Sequence, residues 1–179
     1  MAWPDWFERW EHKWIIDEAA EQILQFGPSR LSKADAHLML EAVEHMNAAT
    51  AHLNENDRKA YGLIHADPNL GNWLYRDDGV ALVDFEVCAF GFYAFDLARI
   101  VVGLMSIDAP TRVIEATHAA YAAVRPTFDL QSETMIGFML QNQVDCVAFA
   151  ISQPEFMADP ARRRSLNRRL RVTRSLMKI

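Results

Sequence analysis

The chain has 179 residues and a mass of 20.4 kDa, with 51% apolar and 23% charged residues. This composition excludes a disordered chain, a collagen and a disulfide scaffold, and it indicates one globular domain over residues 1–179. The longest apolar runs, Ile100–Met105 and Cys146–Ile151, are too short for a membrane-spanning helix of about 20 residues. Acidic residues near the N-terminus do not fit a signal peptide, and two cysteines without a CxxC motif indicate reduced thiols. We therefore expect a cytoplasmic protein with no membrane partner.

The net charge of −6 is distributed unevenly. Residues 161–179 contain eight basic and no acidic residues, which gives +8, whereas the first 160 residues contain 10 basic and 24 acidic residues, which gives −14. An acidic body makes a nucleic-acid partner unlikely, because phosphate contacts supply most non-specific affinity. The basic segment is predicted to be a solvent-exposed helix, with contact to nucleic acid or to an anionic membrane as the alternatives.

Two helices are predicted first. Apolar residues spaced by three and four predict a helix over residues 4–26 that ends at Gly27 and Pro28. Ser32, with Asp35 at the capping-box position, predicts the start of a second helix that runs to about Leu53, before a polar loop at 54–59. One face of the first helix carries a stripe of tryptophans, for which core packing is expected: Trp3, Trp6, Trp10 and Trp14.

The hydrophobic period then changes from helical to strand-like. Short apolar runs at 61–65, 72–76 and 80–85 predict strands, and Asp77-Asp78-Gly79 predicts a hairpin between the last two. Helical patterns return at about 94–107, 110–124, 131–152 and 159–177. The predicted fold class is α+β, mostly α: two helices, a small β insert, then four helices.

Three polar residues in the β insert suggest a metal-dependent site. If Arg76 pairs with Val80, Asn72 lies opposite Asp84, and a two-residue loop shifts this register by one. Their oxygen atoms are the ligands that Mg²⁺ prefers. Asp67, after a predicted strand end, faces the same edge and can accept a proton from an attacking hydroxyl. The alternative is structural: each residue caps a turn, satisfies backbone or ends a strand.

These residues also carry a family resemblance. His65 to Asn72 reads H-x-D-x-x-x-x-N, and a hairpin and then Asp84-Phe85 follow. This pattern over residues 60–99 resembles the aminoglycoside phosphotransferase and choline kinase branch of the protein-kinase-like fold. The resemblance implies that the chain forms the C-terminal lobe of that fold, with a small β hairpin carrying the catalytic and metal loops within residues 61–99.

The same resemblance implies roles for individual residues. Asp67 would be the catalytic base, and Asn72 and Asp84 would bind the Mg²⁺ ions that bridge the phosphates of ATP. His65 and Asp96 would give structural support. Glu86 would lie behind the metal ligands. The implied reaction is Mg²⁺-dependent transfer of the ATP γ-phosphate to a hydroxyl of a small molecule, as in aminoglycoside, choline and homoserine kinases. Residues 100–160 would shape the acceptor pocket, and the acidic excess would suit a cationic acceptor.

One half of the family pattern is missing. The seven glycines contain no GxG motif, none of the four lysines falls in a predicted strand, and about 60 residues of helical character precede His65. We therefore expect the N-terminal nucleotide lobe to be absent, ATP turnover by the chain alone to be weak or absent, and a separate N-terminal lobe or a second copy to be a partner. A catalytically inactive kinase-like binding or interaction module is the alternative function. A Mg²⁺-dependent phosphohydrolase would need a water-positioning group that the sequence does not reveal.

Overall fold

The computed structural model describes residues 12–153, 155 and 158–178, with side chains from residue 17 onward. The side chains of the predicted tryptophan stripe (Trp3, Trp6, Trp10 and Trp14) and the first eight residues of the first predicted helix lie outside what is described. Within the described ranges the chain is mostly helical and carries two small antiparallel sheets. The predicted fold class, α+β and mostly α, is confirmed.

Helix α1 (His12–Arg30) continues past the point at which the sequence predicted its end. Pro28 lies inside its last turn and removes one N–H donor. The turn stays closed because the N–H of Leu31 donates to the carbonyl of Gly27 at 2.8 Å and Ser29 Oγ donates to the carbonyl of Phe26 at 3.1 Å. The predicted end at residue 26, before Gly27 and Pro28, is therefore wrong by four residues.

Helix α2 (Lys33–Thr50) begins at the predicted N-cap. Ser32 Oγ accepts the N–H of Asp35 at 3.1 Å, and the hydroxyl donates to the carboxylate of Asp35 at 2.7 Å. The helix ends at Thr50, three residues before the predicted Leu53. Its capping motif is confirmed, and its C-terminal boundary is not.

Four short strands form two separate sheets. Strand β1 (Tyr61–Ile64) pairs with β4 (Ala89–Phe92), and β2 (Trp73–Arg76) pairs with β3 (Gly79–Leu82). A single 3₁₀ turn (Leu70–Asn72) leads into β2. The β2–β3 hairpin is confirmed with its two-residue loop, whereas β4 was not predicted, because its four residues directly precede a helix and were too few to show a strand period of their own.

The helices with described bounds that follow are α3 (Tyr93–Ser106), α4 (Thr111–Val124), α5 (Glu133–Ser152) and α6 (Pro160–Leu176). All four begin and end within two residues of their predicted bounds. Helix α5 is the centre of the core and packs against α1, α2, α3 and α6. Helix α3 also contacts β1 and β4, so it joins the helical core to the segment that carries the candidate site.

Among the described helices, α5 is the one that is long and apolar enough to cross a membrane. Its most apolar window of 18 residues is 83% buried inside the protein. A buried core helix of a soluble protein meets the same criterion of length and composition, so this observation is weak evidence for a membrane span.

Candidate active site

The loop between β1 and the 3₁₀ turn carries Asp67. It contains Ala66, whose φ of 65° is a left-handed conformation that residues other than glycine rarely adopt. The carboxylate of Asp96, in the first turn of α3, accepts the N–H of His65 at 2.8 Å and that of Ala66 at 2.9 Å. Burial raises the pKa of Asp96, and these two hydrogen bonds oppose the shift. Helix α3 thus fixes the backbone immediately before Asp67.

The ring of His65 connects this loop to the segment after β3. Its Nε2 lies 3.0 Å from the carbonyl oxygen of Val83, and the ring packs 4.5 Å from that of Phe85. With Nε2 as the donor, Nδ1 is the unprotonated ring nitrogen; it is buried and has no hydrogen-bond partner among the described residues. His65 therefore lies between the two loops and bonds to backbone.

Asp67 is held by three neighbours. Its Oδ1 accepts hydrogen bonds from Nε and Nη2 of Arg99 at 3.0 and 2.8 Å. Its Oδ2 accepts one from Asn69 Nδ2 at 2.8 Å and a long one from Asn72 Nδ2 at 3.5 Å. The side chain of Asp67 remains 29% exposed. The contact from Asn72 is long and therefore weak, so a closer donor can take its place at Oδ2.

Arg99 is fixed from the opposite side by α5. Its Nη1 lies 3.3 Å from Asn142 Oδ1 and 3.0 Å from Cys146 Sγ. Burial disfavours the charge of Arg99, but the electrostatic effects of Cys146 and Asp67 outweigh burial and raise its pKa. The guanidinium therefore stays protonated, and it links Asp67 to the central helix.

Asn72 and Asp84 lie at the open end of the β2–β3 hairpin. The N–H of Val83 donates to the carbonyl of Asn72 at 3.0 Å, so Asn72 faces Val83 and Asp84 is one residue further on. The register is therefore the one with a two-residue loop, and Asn72 does not directly oppose Asp84. Asp84 is exposed, has a left-handed φ of 67°, and makes no hydrogen bond or ion pair within the part of the chain that the structure describes.

The donor atoms of this pair fit a magnesium ion. Asn72 Nδ2 donates to the carbonyl of Asp67 at 2.9 Å, which leaves Asn72 Oδ1 available as a ligand. One amide oxygen and one unpaired carboxylate match Mg²⁺, which keeps waters or phosphate oxygens in its other positions. No group of three or more His, Cys, Asp or Glu side chains that could hold a metal occurs in the described ranges. The protein ligands here would therefore be few, and phosphate would have to complete the site.

Asp67 opens into a cavity of about 630 Å³. Its walls come from α1, from the loop that carries Asp67, from the segment after β3, from α3 and from α5. Glu86 lines this cavity, so the structure brings Glu86 and Asp67 together. A second cavity of about 770 Å³ lies between Trp73, α3 and α4; its walls are mostly apolar and do not include Asp67.

Sequence reasoning missed the residues behind Asp67: Arg99, Asn142, Asp145 and Cys146. Arg99 follows Asp96 by three residues on α3, so the two share a helix face, and that spacing could have placed Arg99 near the loop. Asn142 and Asp145 are likewise three apart in a helix whose other residues are mostly apolar. Polar side chains at such spacing in a buried helix were a usable signal.

The chain matches the phosphotransferase enzyme family over residues 2–132 and belongs to that family. No curated protein sequence matches it at a significant level. The family match agrees with the resemblance carried by the motif from His65 to Asn72.

Solved structures of kinase-like phosphotransferases share its fold. A choline/ethanolamine kinase family protein from Mesorhizobium loti superposes with a TM-score of 0.73 at 16% identity, over 96% of this chain and 56% of that one. Choline kinase from Cryptosporidium parvum Iowa II gives 0.68 at 13% identity, over 98% and 58%. A thermostable mutant of aminoglycoside phosphotransferase APH(4)-Ia, in ternary complex with AMP-PNP and hygromycin B, gives 0.62 at 16% identity, over 89% and 50%. The chain spans about half the length of these proteins and has the fold of a kinase-like C-terminal lobe.

Proposed function

We propose that this chain carries the catalytic and metal loops of an ATP-dependent phosphotransferase that acts on a hydroxyl of a small molecule. The observation that carries the proposal is the arrangement around Asp67. Arg99 holds Oδ1 of Asp67, and the weak contact from Asn72 leaves Oδ2 able to accept a closer donor. Asn72 also offers its amide oxygen, and the carboxylate of Asp84 has no partner among the described residues. Family membership and the AMP-PNP complex of a structural relative support ATP as the donor.

In this proposal the acceptor hydroxyl donates its hydrogen bond to Asp67 Oδ2. As the hydroxyl oxygen bonds to the γ-phosphorus and the bond to the bridging oxygen of ADP breaks, the proton passes to Asp67. Asn72 Oδ1 and the Asp84 carboxylate would hold Mg²⁺, which supplies neutralisation of phosphate charge when bound. His65 and Asp96 keep the loop in place, and Glu86 acts from the cavity wall. We further propose that residues 1–179 form one domain that works in the cytoplasm with reduced Cys88 and Cys146.

Calorimetric titration with ATP, with and without Mg²⁺, tests the proposal. We expect Mg²⁺-dependent binding to the unmodified chain and at least tenfold weaker binding to Asp84→Asn, because a neutral amide replaces the only carboxylate among the proposed ligands. Asp77→Asn is the matched control, since it makes the same change in the loop at the other end of the hairpin.

Two outcomes would contradict the proposal. One is a folded chain that binds ATP equally well with and without Mg²⁺. The other is an Asp84→Asn variant that binds as well as Asp77→Asn. A folded chain that binds no ATP at all would favour the inactive kinase-like module.

A further inference from the structure

A third, smaller cavity lies between α5 and α6. Its walls come from Cys146, Phe149 and Ala150 on α5 and from Ser165, Leu166 and Arg169 on α6. It encloses about 180 Å³, which is the space of about six water molecules at about 30 Å³ each. Pockets for larger organic ligands enclose about 300–1,000 Å³. The size of this cavity therefore suits a small ion rather than a nucleotide or a sugar.

Arg169 brings an unpaired N–H group to this cavity. The residue is half-buried, and its Nη1 is shielded from solvent and has no hydrogen-bond partner among the described residues. A buried donor without an acceptor is costly, more so when the group is charged, and such atoms are rare in native proteins. The described residues that line the cavity include no Asp or Glu. The guanidinium thus lacks a negative partner on this side.

The two other polar residues of the walls also offer donors. Ser165 precedes Arg169 by four residues on α6, so the two side chains lie on one face of the helix, and the serine hydroxyl can donate. Sγ of Cys146 accepts a hydrogen bond from Nη1 of Arg99 at 3.0 Å, which leaves its S–H as a weak donor. Donors from three side chains therefore surround a space that holds no acceptor side chain of its own among the described residues.

We propose that this cavity is a binding site for a small tetrahedral oxyanion such as inorganic phosphate. The anion accepts hydrogen bonds from Nη1 of Arg169 and from the hydroxyl of Ser165, and it supplies the negative charge that the guanidinium lacks. The charge of the surrounding segment favours entry of an anion, because residues 161–179 contain eight basic and no acidic residues. Arg169 does not line the cavity at Asp67, so this inference is independent of the proposed phosphotransferase function.

Calorimetric titration with sodium phosphate tests the site. The titration is run without Mg²⁺, and sodium chloride keeps the ionic strength constant. We expect saturable binding to the unmodified chain and at least tenfold weaker binding to Arg169→Gln, which loses the charged donor. Arg168→Gln is the matched control, because it removes the same charge from the neighbouring, exposed position on α6 and should bind phosphate as the unmodified chain does.

A milder variant and a second readout keep the test decisive if Arg169→Gln does not fold. Ser165→Ala removes one donor from a half-buried position of α6 and should weaken phosphate binding by about threefold or more. In the unmodified chain, phosphate should shift the amide NMR signals of Ser165 and Arg169 with the affinity that calorimetry gives. Signals that stay unchanged during saturable binding would place the phosphate elsewhere and overturn the inference.

Glucose 6-phosphate is titrated in parallel, because the phosphate group of a larger molecule presents the same oxygen atoms. We expect it to bind at least tenfold more weakly than phosphate, since its sugar does not fit beside the phosphate in about 180 Å³. Equal affinity would overturn the assignment to a free anion. The inference also fails if the unmodified chain binds no phosphate at millimolar concentration, or if Arg169→Gln binds it as tightly as Arg168→Gln.

Discussion

Two aspartates interact with the same guanidinium and differ in what else they bind. Asp67 accepts two hydrogen bonds from Arg99, one from Asn69 and a long one from Asn72. Asp145 interacts with Arg99 by long-range electrostatics. Oδ1 of Asp145 has no hydrogen-bond partner among the described residues. Side chains of one chemical type thus have different environments within one site, and our proposal uses Asp67 for proton transfer.

The pH dependence of stability follows from Asp145. Its pKa is raised from 3.8 to about 8 on folding, so the folded state binds this proton more tightly than the unfolded state. The free energy of unfolding therefore falls as pH rises from about 4 to about 8. We expect Asp145→Asn to match the unmodified chain near pH 4 and to be the more stable protein near pH 9, as measured by urea unfolding at each pH.

Part of the slope with pH should survive in that variant, because burial also raises the pKa of Asp96. Glu115→Gln controls for the loss of a carboxylate elsewhere and should keep the full slope. A slope that is identical in Asp145→Asn and in the unmodified chain would contradict the assignment of the shift to Asp145.

At the scale of elements, the packing of α5 against α2 depends on Gly137. A Cβ atom at this position would lie 2.8 Å from the Cβ of Ala49 and 3.2 Å from Thr50 Cγ2. The two helices therefore approach more closely than an alanine would allow, and that approach brings α5, with Asn142 and Cys146, to its position in the core.

Gly137→Ala should lower the free energy of unfolding by about 1–3 kcal/mol, because the energetic cost of overpacking is larger than the stabilisation from the higher helix propensity of alanine. Gly103→Ala in α3 is the matched control. A Cβ there meets nothing within 4 Å, so this variant should gain about 0.5–1 kcal/mol. Chemical unfolding of both variants checks the pair, and a Gly137→Ala protein as stable as Gly103→Ala would show that α2 and α5 separate at little cost.

At the scale of the whole molecule, the basic helix α6 is partly neutralised by the acidic body. Arg171 pairs with Asp108 at 3.0 Å, and Arg174 pairs with Asp35 on α2. Ion pairs of this kind stabilise little, but they occupy cations that would otherwise meet phosphates. The charge asymmetry of the sequence is therefore smaller on the folded surface than the counts of +8 and −14 suggest.

We accordingly expect α6 not to make the protein a nucleic-acid binder. A labelled 20-base-pair duplex should show no binding at micromolar protein in about 0.15 M salt, as followed by fluorescence anisotropy. Binding tighter than about 1 µM that weakens steeply with added salt would contradict this expectation, since such a slope counts phosphate contacts.

The sequence predicted the helices, the hairpin and the motif because each of these is local. The capping box at Ser32 and the turn at Asp77-Asp78 act within a few residues, and His65 to Asn72 is one continuous stretch. Contacts between distant segments were not predictable in this way. The ion pair between Asp67 and Arg99 and the contact from Arg99 to Cys146 depend on how α3 and α5 pack, and the end of α1 depends on hydrogen bonds that bypass Pro28.

The bonds from Asp96 also have a consequence for motion. The N–H groups of His65 and Ala66 donate to the carboxylate of Asp96 on α3, so opening of this loop requires these two hydrogen bonds to break. We expect fraying of the first turn of α3 to free the loop, and the packing of α3 on α5 opposes that fraying. We therefore expect the rate at which the candidate catalytic loop opens to depend on the packing of the hydrophobic core.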